Sequence, residues 1–207
     1  MSQPQKTSGW SVSMEPLTVG LTVLGAFARL IPHPPNFVPV GGMSLFAGSR
    51  MRGWRAYLVP LLLMAVTDPI LSAIYGYPTF HGTSAFVYGS LLVTVWIGQR
   101  LLREPTPGRI ALAASLSSGQ FFLVTNLGVW LVGGLYPHTA AGLVACFVAA
   151  IPFFGRTLAS DLLYSGLLFG LYAWTSRIAP GDWRWAGNPS RDRKRAVQQP
   201  QPAKQAS

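Results

Sequence analysis

Few residues in this chain have side chains suited to catalysis or metal binding. Its 207 residues include six Asp and Glu, three His and one Cys. Two carboxylates fall within the long apolar segments, Asp68 and Asp161, and their neighbours are not those of the aspartyl intramembrane proteases. The sequence has no Gly-x-Ser-x-Gly elbow, no His-Glu-x-x-His pair and no phosphate-binding loop. We therefore expect no enzymatic activity and no cofactor.

The elements that must position these residues are predicted to be membrane helices. Half of the residues are hydrophobic, 11% are charged and the mean hydropathy is +0.34, whereas soluble domains carry about 25% charged residues. A helix that crosses a bilayer needs about 20 mostly apolar residues. The candidate helices cover residues 16–32, 37–49, 54–76, 83–103, 109–134 and 157–178.

A further apolar segment, residues 136–154, is interrupted by Pro137 and Pro152. We predict a helix that dips into the membrane, or caps the bundle, before the last helix without crossing, where protein encloses its backbone or it lines a cavity. If it crosses instead, there are seven spans and the arginine-rich tail lies outside. The predicted fold is an all-α integral membrane protein with six transmembrane helices and this extra re-entrant segment.

The distribution of basic residues predicts an orientation. Of the 16 Lys and Arg residues, all but Arg29 and Arg156 fall on one side of the six predicted spans. Because Lys and Arg concentrate in cytoplasmic loops, both termini are expected in the cytoplasm of a bacterial inner membrane. This bias accounts for the net charge of +10 without a nucleic-acid partner.

Three regions follow from the composition. Residues 1–15 are predicted to be a flexible cytoplasmic N-terminus, and residues 16–179 the membrane domain. Residues 180–207 are rich in Pro, Gln, Ser and Arg, and we expect a disordered basic tail.

In this orientation the polar side chains in or beside the helices fall in the outer half of the membrane. A charge in lipid costs about 3 kcal/mol even on lenient scales, so such groups pair or face a cavity. A through-pore would need polar lining at all depths, so an outward-facing pocket is the better prediction. The candidate substrate-binding residues are Arg29, His33, Asn36, Asp68, Phe80, His81, Asn126, Trp130, His138, Arg156 and Asp161.

Structural roles compete with binding for several of these residues. Arg29 either pairs with Asp68 or extends to the outer headgroups, and Arg156 either pairs with Asp161 or contacts a helix end. Asp161, predicted in the first turn of the last helix, also suits the positive end of the helix dipole. Asp68 precedes Pro69 and can bind backbone groups that the proline leaves free.

Two stretches resemble a family of uncharacterised bacterial proteins thought to act in transport. The first is Ala-Arg-Leu-Ile-Pro-His-Pro-Pro-Asn-Phe at 28–37, continued by Val-Pro-Val-Gly-Gly-Met-Ser-Leu-Phe at 38–46. The second is Phe-Phe-Leu-Val-Thr-Asn-Leu-Gly-Val-Trp at 121–130, followed by Tyr-Pro-His-Thr at 136–139 and Ile-Pro-Phe-Phe at 151–154.

The layout also resembles, more distantly, the substrate-binding S subunits of energy-coupling-factor vitamin transporters, including solitary members that carry cobalamin. That resemblance implies six helices around an outward pocket for a vitamin or metal ion. It leaves open whether the chain acts alone or with an energising coupling subunit. If the substrate is cobalamin, His81 is the candidate cobalt ligand.

The function predicted from the sequence is uptake of a small micronutrient, with a vitamin, and cobalamin first, as the substrate. The expected partners are this small molecule and the lipid bilayer. One alternative is an accessory or assembly membrane protein that transports nothing. The other is a membrane-embedded enzyme that uses Asp68, Asp161 or a histidine on lipid.

Overall fold

A computed structural model describes residues 16–31, 34–51 and 53–178, and the regular elements in these ranges are all α-helices. The helices pack into one compact unit as far as Tyr172, and a second unit begins at Ala173. The all-α prediction is confirmed. The predicted N-terminal region 1–15 and tail 180–207 lie outside the described residues. The helices are α1 (Pro16–Leu30), α2 (Val40–Arg50), α3 (Arg55–Tyr75), α4 (Ser84–Leu101), α5 (Pro107–Val132) and α6 (Ala140–Ile178).

Helix α2 is short and enclosed by protein. Its 11 residues extend about 16 Å, which is too short to cross a bilayer, and the run from Gly42 to Gly48 is buried throughout. A side chain on Gly48 would overlap the carbonyl oxygen of Val95 in α4, and one on Gly98 in α4 would overlap that of Leu45. Glycine at both positions therefore lets the backbones of α2 and α4 touch.

Among the described residues, three helices are long and apolar enough to cross a membrane: α3, α5 and residues Ala140–Thr175 of α6. On α3, an exposed apolar stripe recurs every four residues, while other apolar residues of the same helix are buried. A helix that is apolar on its uncovered side as well as its packed side fits a lipid environment. Helices α1 and α4, with 15 and 18 residues, are shorter than the usual span, so six spans stay a prediction. The stripe comprises Leu58, Leu62, Val66, Ile70 and Ile74.

The predicted re-entrant segment and the predicted last span form one continuous helix, the 39-residue α6. It follows Thr139, whose Oγ1 accepts a hydrogen bond from Gly142 N at 3.1 Å, as an N-terminal cap does. Pro152 lies inside the helix without ending it, because membrane helices tolerate proline where neighbouring groups satisfy the freed backbone. The prediction of a separate re-entrant helix was wrong.

The continuity of α6 also bears on the number of crossings. A continuous helix does not reverse direction, so residues 136–154 and 157–178 are not two successive spans. This is inconsistent with the seven-span alternative. At 1.5 Å per residue the helix extends about 58 Å, nearly twice the hydrocarbon thickness of about 30 Å.

Helices α3 and α4 run in opposite directions and define two ends of the first unit. Asp68 of α3 meets Arg29 of α1 and Tyr88 of α4 at the Asp68 end. Tyr57, near the start of α3, donates to Gln99 Oε1, near the end of α4, at 3.1 Å. This second group marks the Tyr57 end.

Candidate functional site

A cavity of about 210 Å³ lies between α4, α5, α6 and the turn that precedes α2. Most of its wall is aromatic or aliphatic, with two amides and three threonine hydroxyls. Among the described residues that line it there is no charged side chain. Of the predicted site residues, Asn36 and Asn126 lie in this wall. The lining residues are Asn36, Thr83, Val87, Phe121, Phe122, Thr125, Asn126, Val129, Ala150, Phe153, Phe154 and Thr157.

Helices α5 and α6 form the aromatic part of the wall. The Phe122 ring lies 5.1 Å from that of Phe154 and 5.4 Å from that of Phe147, measured between centroids. On the facing side α4 and α5 approach closely, since a side chain on Gly128 would overlap the Phe86 ring. Phenylalanine at these helix contacts therefore holds the cavity walls in place.

Three polar groups of the wall have already donated a hydrogen bond within their own helix. Thr125, Asn126 and Thr157 each donate to the carbonyl oxygen four residues earlier, at 2.7, 2.8 and 3.1 Å. A threonine oxygen keeps acceptor lone pairs after donating, and Asn126 keeps its Oδ1 and one N–H. The cavity therefore presents hydrogen-bond acceptors in excess of donors.

Asn36 joins the cavity wall from a tight turn. Phe37 N donates to Pro34 O at 3.1 Å, and Asn36 has φ of 62°. Proline at the second position and positive φ at the third are the features of a type II turn. Asparagine adopts this left-handed region more readily than most residues. The backbone alone therefore accounts for the residue type at Asn36.

Arg29 and Asp68 form an ion pair, with 2.6 Å between Nη2 and Oδ1. Their side chains are 11% and 13% exposed. Tyr88 donates to Asp68 Oδ2 at 2.8 Å, and Arg29 also donates to the Thr67 hydroxyl. Of the two alternatives for Arg29, pairing with Asp68 is confirmed. The network ties α1, α3 and α4 together, and none of its four residues lines the cavity.

Asp161 lies in the interior, midway along α6, and is 4% exposed. Ser118 of α5 donates to its Oδ2 at 2.6 Å. Its Oδ1 occupies the place where a side chain on Gly41, in the first turn of α2, would begin. The prediction that Asp161 opens the last helix was wrong, because α6 begins much earlier. The carboxylate does lie at the positive end of a helix dipole, but the helix is α2.

The cavity, the ion pair and the buried carboxylate all fall within residues 12–181. A family model, described as a family of unknown function, matches that range, which is most of the chain. The chain belongs to family DUF6580. No curated protein and no solved structure matches it. Membership of DUF6580 does not establish a relationship to the S subunits of energy-coupling-factor transporters. That relationship stays a prediction.

Other predicted site residues of this DUF6580 chain lie apart from the cavity wall. Phe80 is 68% exposed in the loop before α4. The neighbouring His81 Nδ1 lies 2.8 Å from Thr83 Oγ1, so its ring is held locally. Within the described ranges, no three His, Cys, Asp or Glu side chains form a group suited to a metal ion. The assignment of His81 to cobalt therefore stays a prediction.

Trp130 and His138 contact each other beside the start of α6. Their ring centroids are 5.4 Å apart, and Trp130 Nε1 donates to Pro137 O at 3.0 Å. Arg156 is exposed, with its guanidinium 6.0 Å from the centre of the Phe153 ring. Its expected pairing with Asp161 is not formed. His33 lies outside the described residues.

Small polar side chains in the middle of the helices also lie in the interior of this DUF6580 chain, and they were not among the predicted site residues. Gln120 of α5 donates to Ser90 O at 2.9 Å and to Thr94 Oγ1 at 3.0 Å in α4. Among the buried side-chain atoms that the structure describes, the hydroxyls of Ser117 and Ser165 have no hydrogen-bond partner. The cluster of Ser115, Ser117, Ser118 and Gln120 in an apolar segment is the sequence signal for this region.

Proposed function

We propose that this member of DUF6580 is a membrane uptake protein that binds a small uncharged solute in the cavity between α4, α5 and α6. The supporting observation is the cavity itself, which is largely apolar with a few convergent polar groups, as small-molecule sites are. Its volume of about 210 Å³ is below the range of about 300–1,000 Å³ usual for drug-sized ligands. We therefore propose a solute much smaller than cobalamin for this cavity.

The chemistry of the wall narrows the solute further. An ion placed against uncharged side chains loses hydration that nothing restores, so an ionised carboxylate or ammonium is disfavoured. Because Thr125 and Thr157 have donated their only hydroxyl hydrogens and Asn126 keeps its Oδ1 as an acceptor, the wall favours a solute that donates. We infer a hydroxyl- or amide-bearing molecule with an aromatic or aliphatic body that packs against the phenylalanines.

The direction of uptake rests on the basic residues. The cavity is lined by Thr83 and Val87 at the start of α4, near the Asp68 end. If Lys and Arg face the cytoplasm, that end is extracytoplasmic, and both termini lie in the cytoplasm of a bacterial inner membrane. Action alone and action with an energising coupling subunit both remain compatible with this proposal.

The accessory-protein alternative has one observation in its favour. The ion pair of Arg29 and Asp68, with Tyr88, joins three helices and so accounts for these residues without a ligand. The enzyme alternative has less support, because Asp68 and Asp161 bond to different partners in separate networks.

Binding is tested by thermal unfolding of the purified full chain in lipid nanodiscs with matched pairs of probes. The neutral members are nicotinamide and benzyl alcohol, and the anionic members are nicotinate and benzoate. We expect at least one neutral member to raise the unfolding temperature and its anion to have little effect. Thr125→Val should abolish the shift, whereas Ser115→Ala, a hydroxyl deletion on the exposed side of α5, should preserve it.

Transport is tested separately, by uptake of the labelled neutral probe into proteoliposomes. Uptake above that of protein-free vesicles, lost in Thr125→Val, is the expected result. No shift with any of the four probes would contradict a binding cavity of this chemistry. Binding without uptake would exclude transport by the chain alone, leaving the accessory-protein alternative or action with a coupling subunit.

A further inference from the structure

The carboxyl of Asp161 is a prominent buried group that has no role in the proposed binding of the solute. It is 4% exposed and belongs to a helix that is long and apolar enough to cross a membrane. Ionisable side chains in such positions are expensive, and they mark ion pathways and proton relays in pumps and transporters. A purely apolar contact between α5 and α6 would not need a carboxylic acid here.

Asp161 lies directly next to the cavity along both helices that flank it. On α6 it follows the lining residue Thr157 by four residues, so the two share a face, about 6 Å apart along the axis. On α5, its partner Ser118 precedes the lining residues Phe121 and Phe122 by one turn. A shift of α5 against α6 therefore changes the cavity and the Ser118–Asp161 hydrogen bond together.

A third connection runs through α2. The turn at Asn36 lines the cavity, and the chain enters α2 a few residues later, where Gly41 abuts Asp161 Oδ1. Ser160, next to Asp161, donates to Val38 O at 2.7 Å. Movement of the Asn36 turn therefore reaches the carboxyl through a short, tightly packed segment.

The ionised state of Asp161 has partners in the structure, and two unbonded hydroxyls on the same helices are candidate acceptors for the protonated state. In the ionised state, Ser118 donates to Oδ2, and Oδ1 lies at the positive end of the α2 dipole. In the protonated state, the carboxyl O–H requires an acceptor. Ser117 is adjacent to Ser118 on α5, and Ser165 lies one turn beyond Asp161 on α6. Both have buried hydroxyls without a hydrogen-bond partner in the described structure.

Few other titratable groups face this carboxyl. The described residues 40–48 of α2 and 113–122 of α5 contain none, and Val38 belongs to an uncharged segment. On α6 the nearest are Arg156, which is exposed, and Tyr164, whose ring lies 6.0 Å from that of Phe37. Titration within this part of the described interior is therefore attributable to Asp161.

We propose that Asp161 is a proton-binding site coupled to the cavity, so that uptake of the solute is linked to the movement of one proton. The carboxylate takes up H⁺ from one side of the membrane to become the neutral acid, and releases the same H⁺ to the other side after the cavity empties. Occupation of the cavity changes the proton affinity of the carboxyl, and protonation changes the affinity for the solute equally. This inference rests on the proposed uptake function.

The test is infrared spectroscopy of the full chain in lipid nanodiscs, titrated between acid and alkaline pH. We expect a carbonyl band of a protonated buried acid that disappears as pH rises and is absent from Asp161→Asn. Ser118→Ala should move the midpoint to higher pH, because the ionised form loses its donor. The Ser118→Ala variant also provides a test of the assignment if Asp161→Asn fails to fold.

Coupling is tested without any ligand by filling the cavity. Ala150→Leu adds a side chain to its wall and should change the proton affinity of Asp161 about tenfold, which is one pH unit. Ala159→Leu, the same substitution at an exposed position of α6, should leave the midpoint unchanged.

The outcomes separate this inference from the uptake proposal. Absence of a titrating band, or a midpoint that neither Ser118→Ala nor Ala150→Leu moves, would overturn proton coupling. Solute binding in the thermal assay would survive that result. Conversely, the band could respond to Ala150→Leu although the protein binds none of the probes. That result would support the coupled proton site and contradict the proposed solute class.

Discussion

Polar residues near the Asp68 end differ in how completely the protein itself satisfies them. Arg29 and Asp68 satisfy each other and bond to Thr67 and Tyr88. Asn126, in contrast, directs part of its amide to its own helix and borders an open space. A polar side chain in a membrane segment is therefore informative about function only once its partners are known.

The ion pair should behave as a structural unit. Breaking a buried pair strands one charge, so we expect Arg29→Met or Asp68→Leu alone to cost about 3 kcal/mol. The double variant should lose less than either single variant, since no unpaired charge remains. Chemical unfolding of the purified chain measures the unfolding free energy of all three variants. Tyr88→Phe is the control, because it removes one neutral hydrogen-bond donor to Asp68 and leaves the ion pair in place. Additive losses would show that the pair is not coupled.

The turn at Asn36 permits a test that separates backbone from ligand contact. Asn36→Gly suits φ of 62° and should leave the unfolding free energy nearly unchanged, whereas Asn36→Val should lose about 1–3 kcal/mol. If Asn36 also contacts the solute, Asn36→Gly keeps the fold but weakens the thermal shift. Equal stability of the glycine and valine variants would contradict the positive φ.

At the scale of elements, α2 is the centre on which the rest is assembled. Its burial depends on glycines in α2 and α4, which place two backbones in contact. A helix over residues 37–49 is predictable from the sequence, but its packing is not. Hydropathy reports how apolar a segment is and carries no information about which glycine faces which carbonyl.

Two glycines of α4 provide a matched comparison. Gly98→Ala puts a methyl group against Leu45 O and should lower folded yield or cost about 1–3 kcal/mol. Gly89→Ala meets no atom and should be neutral or stabilise the helix by about 1 kcal/mol. The unfolding temperatures of the two variants, compared with that of the unmodified chain, test this difference. A tolerated Gly98→Ala would mean that α2 and α4 are not in backbone contact.

At the scale of the molecule, the distribution of basic residues predicts which end faces the cytoplasm. We expect the Tyr57 end there, because Arg50, Arg55, Arg100, Arg103 and Arg109 lie near it. In a Cys146→Ala background, a membrane-impermeant maleimide should label His138→Cys in intact cells. Glu104→Cys should react only after permeabilisation.

The unmodified chain is the control for this labelling, because Cys146 is 2% exposed and should stay unreactive. The reverse pattern would invert the orientation, and with it the direction of transport that we propose.

The sequence by itself determined that this chain is all-α and apolar enough for a bilayer. It also gave α1, α3, α4 and α5 to within about two residues, because proline and glycine bound strong apolar runs. It divided α6 incorrectly, because Pro152 ends helices in water more often than in membranes.

Only the tertiary structure decided which polar groups meet. It confirmed the pairing of Arg29 with Asp68, brought Asn36 and Asn126 to one cavity, and placed Asp161 against Gly41 and Ser118. These contacts depend on how each helix is rotated about its axis and how closely glycines let backbones approach. Segment composition does not specify either quantity, whereas length and hydropathy suffice to specify a helix in a membrane.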